Sequence, residues 1–285
     1  MYFLLNINVL EESQVDYWIK DRGIAPIFYF DATLDDIRKG IAKSEKGKPL
    51  KDAMNFVSTF SKINENDRII SIGDRKIYIY KQKGELREWE NNYKVTTKNK
   101  SETHLVKGFE IELLKEKDVA ICPLVLVTIK SNQWMTRGTF KPIDEKRKGS
   151  YFGNCRAIDY LLTDKIIKVN SFKEYLECLS SLEFETLIAK IYEDKGYFVP
   201  AYKGGFIKNY DLFCRKDNER LAIQIKLHLT EEHIKTSGNP DIFYCITSTV
   251  RNNNIKDWED IKKEMDMYSK TKDWLNKCLE WVKIE

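Results

Sequence analysis

The strongest constraint on the fold is a segment in which apolar and polar side chains alternate, residues 220–229. A period of two places successive side chains on opposite faces of a β-strand. One face carries the aliphatic residues Leu221, Ile223, Ile225, Leu227 and Leu229. The other face carries Ala222, Gln224, Lys226 and His228. The segment therefore predicts a strand with one side in the core and one polar side.

The polar face of this strand has two interpretations. It can be the solvated side of an antiparallel sheet, without a further role. Alternatively, the strand predicted at residues 210–214 forms a hairpin with it, which brings Asp211 beside Gln224 and Lys226. A carboxylate and an amide oxygen are ligands that Mg²⁺ prefers, and an ammonium group beside them can orient a water and offset negative charge. Such a cluster suits metal-assisted hydrolysis of a phosphodiester.

Four short motifs follow one another around this predicted hairpin. They are Phe184-Glu185 near the start of a helix, Gly196-Tyr197, Asp211, and Gln224-Ile225-Lys226. Their order and spacing resemble the Mrr-like branch of the PD-(D/E)xK nucleases, over residues 171–250. The resemblance implies a restriction-endonuclease-like fold, in which a mixed central sheet with flanking helices surrounds a metal site.

The same resemblance implies roles for individual residues. Asp211 would be the metal carboxylate, Gln224 would replace an acidic ligand, and Lys226 would be the catalytic lysine. Glu185 would assist at the metal, although Glu183 competes for that position unless it only completes a capping box with Ser180. The implied cofactor is Mg²⁺ or Mn²⁺, and the implied substrate is DNA in preference to RNA.

His228 lies on the same predicted face, and two interpretations of it stay open. It can contact a substrate phosphate, or it can be a partly buried histidine that packs near a helix.

The first half of the chain predicts a mixed α/β domain. Its features are two helices within residues 33–61, a hairpin at 68–80, a solvated loop or long exposed hairpin at 81–118, and a buried strand at 119–129. This half faintly resembles PUA-like small barrels of the EVE or YTH type, which hold a base in an aromatic pocket. The resemblance implies that Trp18, Tyr29 and Trp134 stack on a base and that Arg137 meets a phosphate; the other interpretation assigns these aromatic residues to the core.

Together these features predict an α+β or α/β protein with two domains. Residues 1–168 would form a target-reading or ligand-sensing domain, and residues 169–285 the nuclease domain. Near the start of the second domain, capping boxes are predicted at Ser171 with Glu174 and at Ser180 with Glu183, the second of which opens a helix that Gly196 ends; a long helix over residues 256–282 closes the chain.

Composition excludes several other classes of protein. No apolar run approaches the ~20 residues of a membrane helix, and acidic residues follow the apolar N-terminus, so a cytoplasmic protein with no membrane partner is expected. The cysteines form no CxxC pair and there are only 3 histidines, which argues against a structural zinc site. The net charge of +4 is too small to indicate nucleic-acid binding by itself.

The sequence leaves three functional hypotheses. The first is a restriction or anti-phage endonuclease whose N-terminal domain selects the target, with a homodimer supplying two active sites for double-strand cutting. The second is an effector nuclease, acting on DNA or RNA, that a small nucleotide activates through the N-terminal domain. The third is an inactive nucleic-acid-binding module, because Gln224 is a weaker metal ligand than glutamate.

Overall fold

The protein is described from a computed structural model. The structure describes residues 1–7, 12–27, 32–43, 49, 51–89, 95–97, 100–102, 106–131, 140–145, 151–200 and 210–285. The chain divides into two compact units. The first consists of Met1–Cys122 and Val127–Asp144, and the second of Pro123–Leu126 and Glu145–Glu285.

A curled mixed sheet of 7 strands forms the first unit. Its strands are β1 (Tyr2–Leu5), β2 (Ile24–Ile27), β3 (Arg68–Ile72), β4 (Lys76–Gln82), β5 (Arg87–Trp89), β8 (Val106–Asp118) and β9 (Phe140–Ile143). The order is β2-β8-β4-β3-β1-β9, and β5 also pairs with β8. A separate ribbon consists of β6 (Val95–Thr97) and β7 (Lys100–Glu102).

Short helices accompany this sheet. They are α1 (Glu12–Val15), which continues as a π-helical turn (Asp16–Asp21), α2 (Leu34–Lys39) and α3 (Lys51–Phe60). The Thr33 side chain accepts a hydrogen bond from the backbone N–H of Asp36 and so caps α2. Trp18, Ile37, Phe56 and Phe109 are buried in the core of this unit.

Two predictions for the first half fare differently. The hairpin at 68–80 is confirmed, because β3 and β4 pair antiparallel on either side of Gly73-Asp74. The buried strand predicted at 119–129 is wrong. The chain there forms a 3₁₀ helix (Val119–Ile121), α4 (Leu124–Val127) and a second 3₁₀ helix (Thr128–Ser131). Asp118 caps the first of these through the N–H of Ala120, and Ile121 is 69% exposed.

Of the two interpretations of residues 81–118, a solvated loop or a long exposed hairpin, the structure agrees better with the hairpin, because β5 pairs antiparallel with β8 and β6 with β7. Residues 106–118 are the long strand β8, which pairs with β2, β4 and β5. Phe109 and Ile111 on this strand are buried, so its lysine- and glutamate-rich sequence still supplies part of the core.

A mixed four-stranded sheet lies at the centre of the second unit. Its strands are β11 (Leu212–Lys216), β12 (Glu219–Leu229), β13 (Ile242–Ser248) and β14 (Ile255–Lys256), and a separate parallel pair consists of β10 (Ile167–Val169) and β15 (Val282–Ile284). The helices are α5 (Phe152–Thr163), α6 (Phe172–Glu177), α7 (Ser181–Asp194), α8 (Glu231–Thr236), α9 (Trp258–Met267) and α10 (Ser269–Cys278). β11 pairs antiparallel with β12, whereas β12, β13 and β14 run parallel. The mixed α+β class is thus confirmed for the described part of the chain.

The boundary between the two units and the extent of the last helix both differ from the prediction. The units divide at Asp144/Glu145 rather than at residue 168, because α5 packs against α6 and β10. The single helix predicted over residues 256–282 is wrong. Tyr268 adopts an extended backbone, which separates α9 from α10, and the chain then enters β15.

Helix α7 begins at a complete capping box. The Glu183 N–H donates to Oγ of Ser180 (3.1 Å), and the Ser180 N–H and hydroxyl donate to Oε2 of Glu183 (2.8 and 2.7 Å). Gly196, with a φ of 84°, follows the last turn and ends the helix. The apolar residues Phe184, Leu187, Ile188 and Ile191 of this helix are buried, whereas Leu182 is 37% exposed.

We expect Ser180→Ala to lower the free energy of unfolding by about 1–2 kcal/mol, because the substitution removes the cap and a partner of the buried Glu183. Urea denaturation measures this difference. Ser181→Ala, at the exposed neighbouring position, is the matched control and should change stability by about 0.5 kcal/mol or less. Equal effects of the two substitutions would contradict the role of the capping box.

A buried charge cluster connects four elements of the second unit. Oε1 of Glu264 on α9 accepts hydrogen bonds from Nζ of Lys195 (2.7 Å) and Nζ of Lys256 (2.8 Å). The hydroxyl of Tyr244 on β13 donates to Oε2 of the same carboxylate (3.1 Å). Burial lowers the pKa of Lys195, while Glu264 opposes that shift. The carboxylate of Glu264 therefore offsets the positive charges of two lysine side chains.

Helices α5 and α6 approach closely at Gly153. A Cβ atom there would lie 2.8 Å from Cα of Cys178 and would also collide with the carbonyl oxygen of Glu177. Only glycine fits this contact without a shift of the backbone.

Candidate functional site

The hairpin of β11 and β12 positions the predicted cluster. Leu212 lies opposite Ile223, and the N–H of Asp211 donates to the carbonyl of Ile223 (3.0 Å). Asp217 in the turn has a φ of 51°, a conformation that aspartate and asparagine tolerate well. Asp211 therefore lies at the end of the hairpin next to the middle of β12.

Asp211, Gln224 and Lys226 are in direct contact. Oδ2 of Asp211 accepts a hydrogen bond from Nζ of Lys226 (3.0 Å), one from the N–H of Ile225 (2.7 Å) and one from Nε2 of Gln224. The structure thus brings together the three side chains on which the sequence prediction depends. All of these contacts engage one carboxylate oxygen.

The cluster is partly shielded from solvent. Gln224 is 4% exposed, whereas the side chains of Asp211 and Lys226 are 21% and 32% exposed. Within the part of the chain that the structure describes, the buried Oε1 of Gln224 has no hydrogen-bond partner. A buried acceptor without a donor is costly, so this oxygen is suited to receive a ligand.

His228 occupies the next position on the same face of β12. It lies directly opposite Thr247 of the parallel strand β13, and Nδ1 of its ring shares a hydrogen bond with Oγ1 of Thr247. Burial lowers the pKa of His228, and the charges of Lys173 and His233 act in the same direction. The ring is therefore held in one orientation and is predominantly neutral at pH 7.

Lys226 and His228 line a groove of about 1280 Å³. Its other charged or titratable lining residues are Lys173, His233, Glu145, Glu177, Glu185, Glu231 and Glu232. Since both signs of charge are present, positive potential is confined to the part of the groove near the two lysines.

The structure distinguishes Glu183 from Glu185. Glu183 is buried in the capping box of α7, and burial raises the pKa of its carboxyl group. Glu185 lines the groove together with Lys226. Glu185 is thus the residue of this pair placed toward the candidate site.

The donor set fits a hard divalent cation. Asp211 supplies a carboxylate, and Gln224 supplies an amide oxygen that lacks a hydrogen bond among the described residues. A search of the same residues finds no group of three or more His, Cys, Asp or Glu side chains that could hold a metal. Any cation bound here would therefore depend, besides Asp211, on the Gln224 oxygen, on Glu185 and on water.

Of the site residues predicted in the first half, the structure describes only Trp18. Trp18 is 0% exposed and belongs to the core, so its prediction as a stacking residue is wrong. Tyr29, Trp134 and Arg137 lie outside the described residues.

Thr247 and Lys173 are site residues that the sequence analysis missed. Thr247 joins the site only through the parallel register of β12 and β13, and Lys173 only through the position of α6. A polar residue in an otherwise apolar strand, as Thr247 is in β13, is the signal that could have pointed to it.

Comparisons with known proteins found no match among protein-family models, curated proteins or solved structures. The described helices include none with the length and apolar character needed to span a bilayer.

Proposed function

We propose that the second unit is a metal-dependent endonuclease that hydrolyses phosphodiester bonds of DNA. The observation that carries this proposal is the contact of Asp211 with Gln224 and with Lys226, the last of which lines the groove. The order of these residues along the chain, which resembles the Mrr-like nucleases, adds support.

Each residue has a distinct role in this proposal. Asp211 and Gln224, with Glu185, would hold Mg²⁺ or Mn²⁺, and a cation bound there would polarise the scissile phosphate. Lys226 orients the attacking water and offsets the negative charge that develops on the phosphate. Its ion pair with Asp211 fixes the position of the ammonium group before substrate binds.

The topology of the second unit supports a restriction-endonuclease-like fold. The resemblance implies a helix, a three-stranded antiparallel sheet and a further parallel strand; helix α7, the antiparallel pair β11–β12 and the parallel strand β13 correspond to most of this arrangement. An isolated bridge between Phe198 and Arg215 extends the antiparallel part of the sheet.

In this proposal the first unit selects the target, and its curled sheet is the basis for comparing it with a PUA-like barrel. Restriction of foreign DNA in the cytoplasm, by a homodimer with two active sites, is the corresponding biological role. The first unit could alternatively bind a small nucleotide that activates the nuclease. In that case, adding the nucleotide would increase the rate of cleavage.

We expect Lys226→Ala to reduce Mg²⁺-dependent nicking of plasmid DNA by at least ~100-fold, because the positioned ammonium group is lost. The nicking rate is measured on agarose gels, with EDTA abolishing the wild-type activity. Lys263→Ala is the matched control, since Lys263 is 72% exposed and pairs only with Asp260 among the described residues.

Equal nicking by wild type and Lys226→Ala would refute the assignment of the site. Magnesium-independent DNA binding without any cleavage would instead favour an inactive binding module. Faster cleavage of RNA than of DNA would change the substrate and leave the site in place.

A further inference from the structure

The spacing of Lys226 and His228 matches a polynucleotide strand. Two residues along one face of a strand are separated by about 6.6 Å. This distance is comparable to the separation of successive phosphates in a nucleic acid. Lys226 and His228 both line the groove, so one strand can present two phosphates to them in turn.

The imidazole of His228 is positioned to donate a hydrogen bond. When the hydroxyl of Thr247 donates to Nδ1, the ring proton lies on Nε2. Among the described residues, only Thr247 forms a hydrogen bond with this ring. Nε2 therefore remains available to a ligand in the groove.

The surrounding charges favour an anion at this position. Lys173 lies close enough to influence the His228 ring electrostatically, and it lines the same groove. The groove is also lined by the carboxylates of Glu145, Glu177, Glu185, Glu231 and Glu232, and Glu177 interacts electrostatically with Lys173. Because these carboxylates repel a polyanion and the lysines attract it, a polyanion in the groove would follow Lys226, His228 and Lys173.

From this geometry we propose that Nε2 of His228 binds the phosphate adjacent to the scissile phosphate, which makes the substrate a strand with consecutive phosphodiesters. This inference rests on the proposed function, because Lys226 defines the position of the scissile phosphate. His228 is then a substrate-binding residue that sets the register of the strand.

Two substitutions distinguish the roles of the two ring nitrogens of His228. The amide of His228→Asn can keep the contact with Thr247 but does not reach the position of Nε2, whereas the longer His228→Gln reaches it. We expect His228→Asn to weaken binding of a short DNA duplex about tenfold, measured by fluorescence anisotropy in Ca²⁺. His228→Gln should recover most of this loss.

Cleavage supplies a second, independent comparison. The increase in KM caused by His228→Asn should be about tenfold larger for an oligonucleotide than for thymidine 5′-(p-nitrophenyl) phosphate, which has a single phosphodiester. A substrate in which an uncharged methylphosphonate replaces the phosphate next to the cleaved bond should bind the wild type more weakly. The same replacement should hardly change the affinity of His228→Asn, because the contact that it removes is already lost.

The outcomes distinguish this inference from the proposed function. Equal duplex affinities of wild type and His228→Asn would overturn the phosphate subsite, even if the wild type cleaves DNA. Weaker binding by His228→Asn without any cleavage by the wild type would support the subsite and overturn the nuclease. A duplex that the wild type does not bind would overturn both.

Discussion

Replacing Asp211 by asparagine will reduce magnesium-dependent DNA cleavage by about 10³-fold or more. The substitution keeps the shape of the side chain and removes the negative charge that would hold the cation. It also removes the negative charge that pairs with Lys226, whose Nζ lies 3.0 Å from Oδ2 of Asp211. The effect should therefore exceed that of removing Lys226 alone.

Metal binding can be measured for this variant without any activity. Mg²⁺ binds only the folded protein, so it should raise the melting temperature of the wild type by more than that of Asp211→Asn. A smaller rise in melting temperature for Asp211→Asn would show that the variant loses cleavage because it binds Mg²⁺ more weakly.

The matched control for this substitution is Asp217→Asn in the turn of the same hairpin. Asp217 is exposed, and asparagine tolerates its positive φ equally well. The control should cleave DNA at the wild-type rate and respond to Mg²⁺ in the same way. If Asp211→Asn behaves like Asp217→Asn, the cation is not held at Asp211.

The largest loss of stability is expected from Glu264→Ala. The substitution leaves Lys195 and Lys256 without the carboxylate that both contact, and it leaves the buried hydroxyl of Tyr244 without that acceptor. Breaking a buried ion pair by removal of one partner costs about 3 kcal/mol or more. Urea denaturation of the full chain measures the free energy of unfolding.

This loss should depend on pH in a defined direction. Burial lowers the pKa of Lys195 in the folded protein below the ordinary 10.5, and removal of Glu264 lowers it further. At a pH between the pKa of Lys195 in the folded protein and its pKa in the unfolded chain, the unfolded chain binds more protons. The free energy of unfolding therefore rises with pH in this range, and the range is wider for Glu264→Ala. The difference between variant and wild type should shrink as the pH rises toward 10.5.

Glu259→Ala, on the exposed side of α9, is the control for this experiment. It should change the free energy of unfolding by about 0.5 kcal/mol or less throughout the pH range in which Glu264→Ala is compared with the wild type. A Glu264→Ala protein as stable as this control would show that the buried cluster contributes no net stability.

The parts of the site that the sequence predicted are those with local causes. Asp211 and Gln224 are 13 positions apart, and a two-residue turn with alternating strands is sufficient to bring them together. The capping box of α7 is likewise contained within four consecutive residues. Short-range patterns of this kind depend little on the rest of the fold.

The parts that failed depend on distant partners. An apolar run at 119–129 has no clear period, and the cap at Asp118 together with Pro123 favours short helices over a strand. The end of the chain pairs as β15 with β10, a strand more than a hundred residues earlier. No pattern within residues 256–282 could indicate that pairing or the extended backbone at Tyr268.

The close contact of α5 and α6 at Gly153 has a consequence for the groove. Phe152, Lys173 and Glu177, on these two helices, form one wall of it. A bulkier residue at position 153 would push the helices apart and displace that wall, while the contacts of Asp211 with Gln224 and Lys226 stay in place. The missing side chain at position 153 therefore helps to set the width of the groove, and a substitution there would change how a ligand fits.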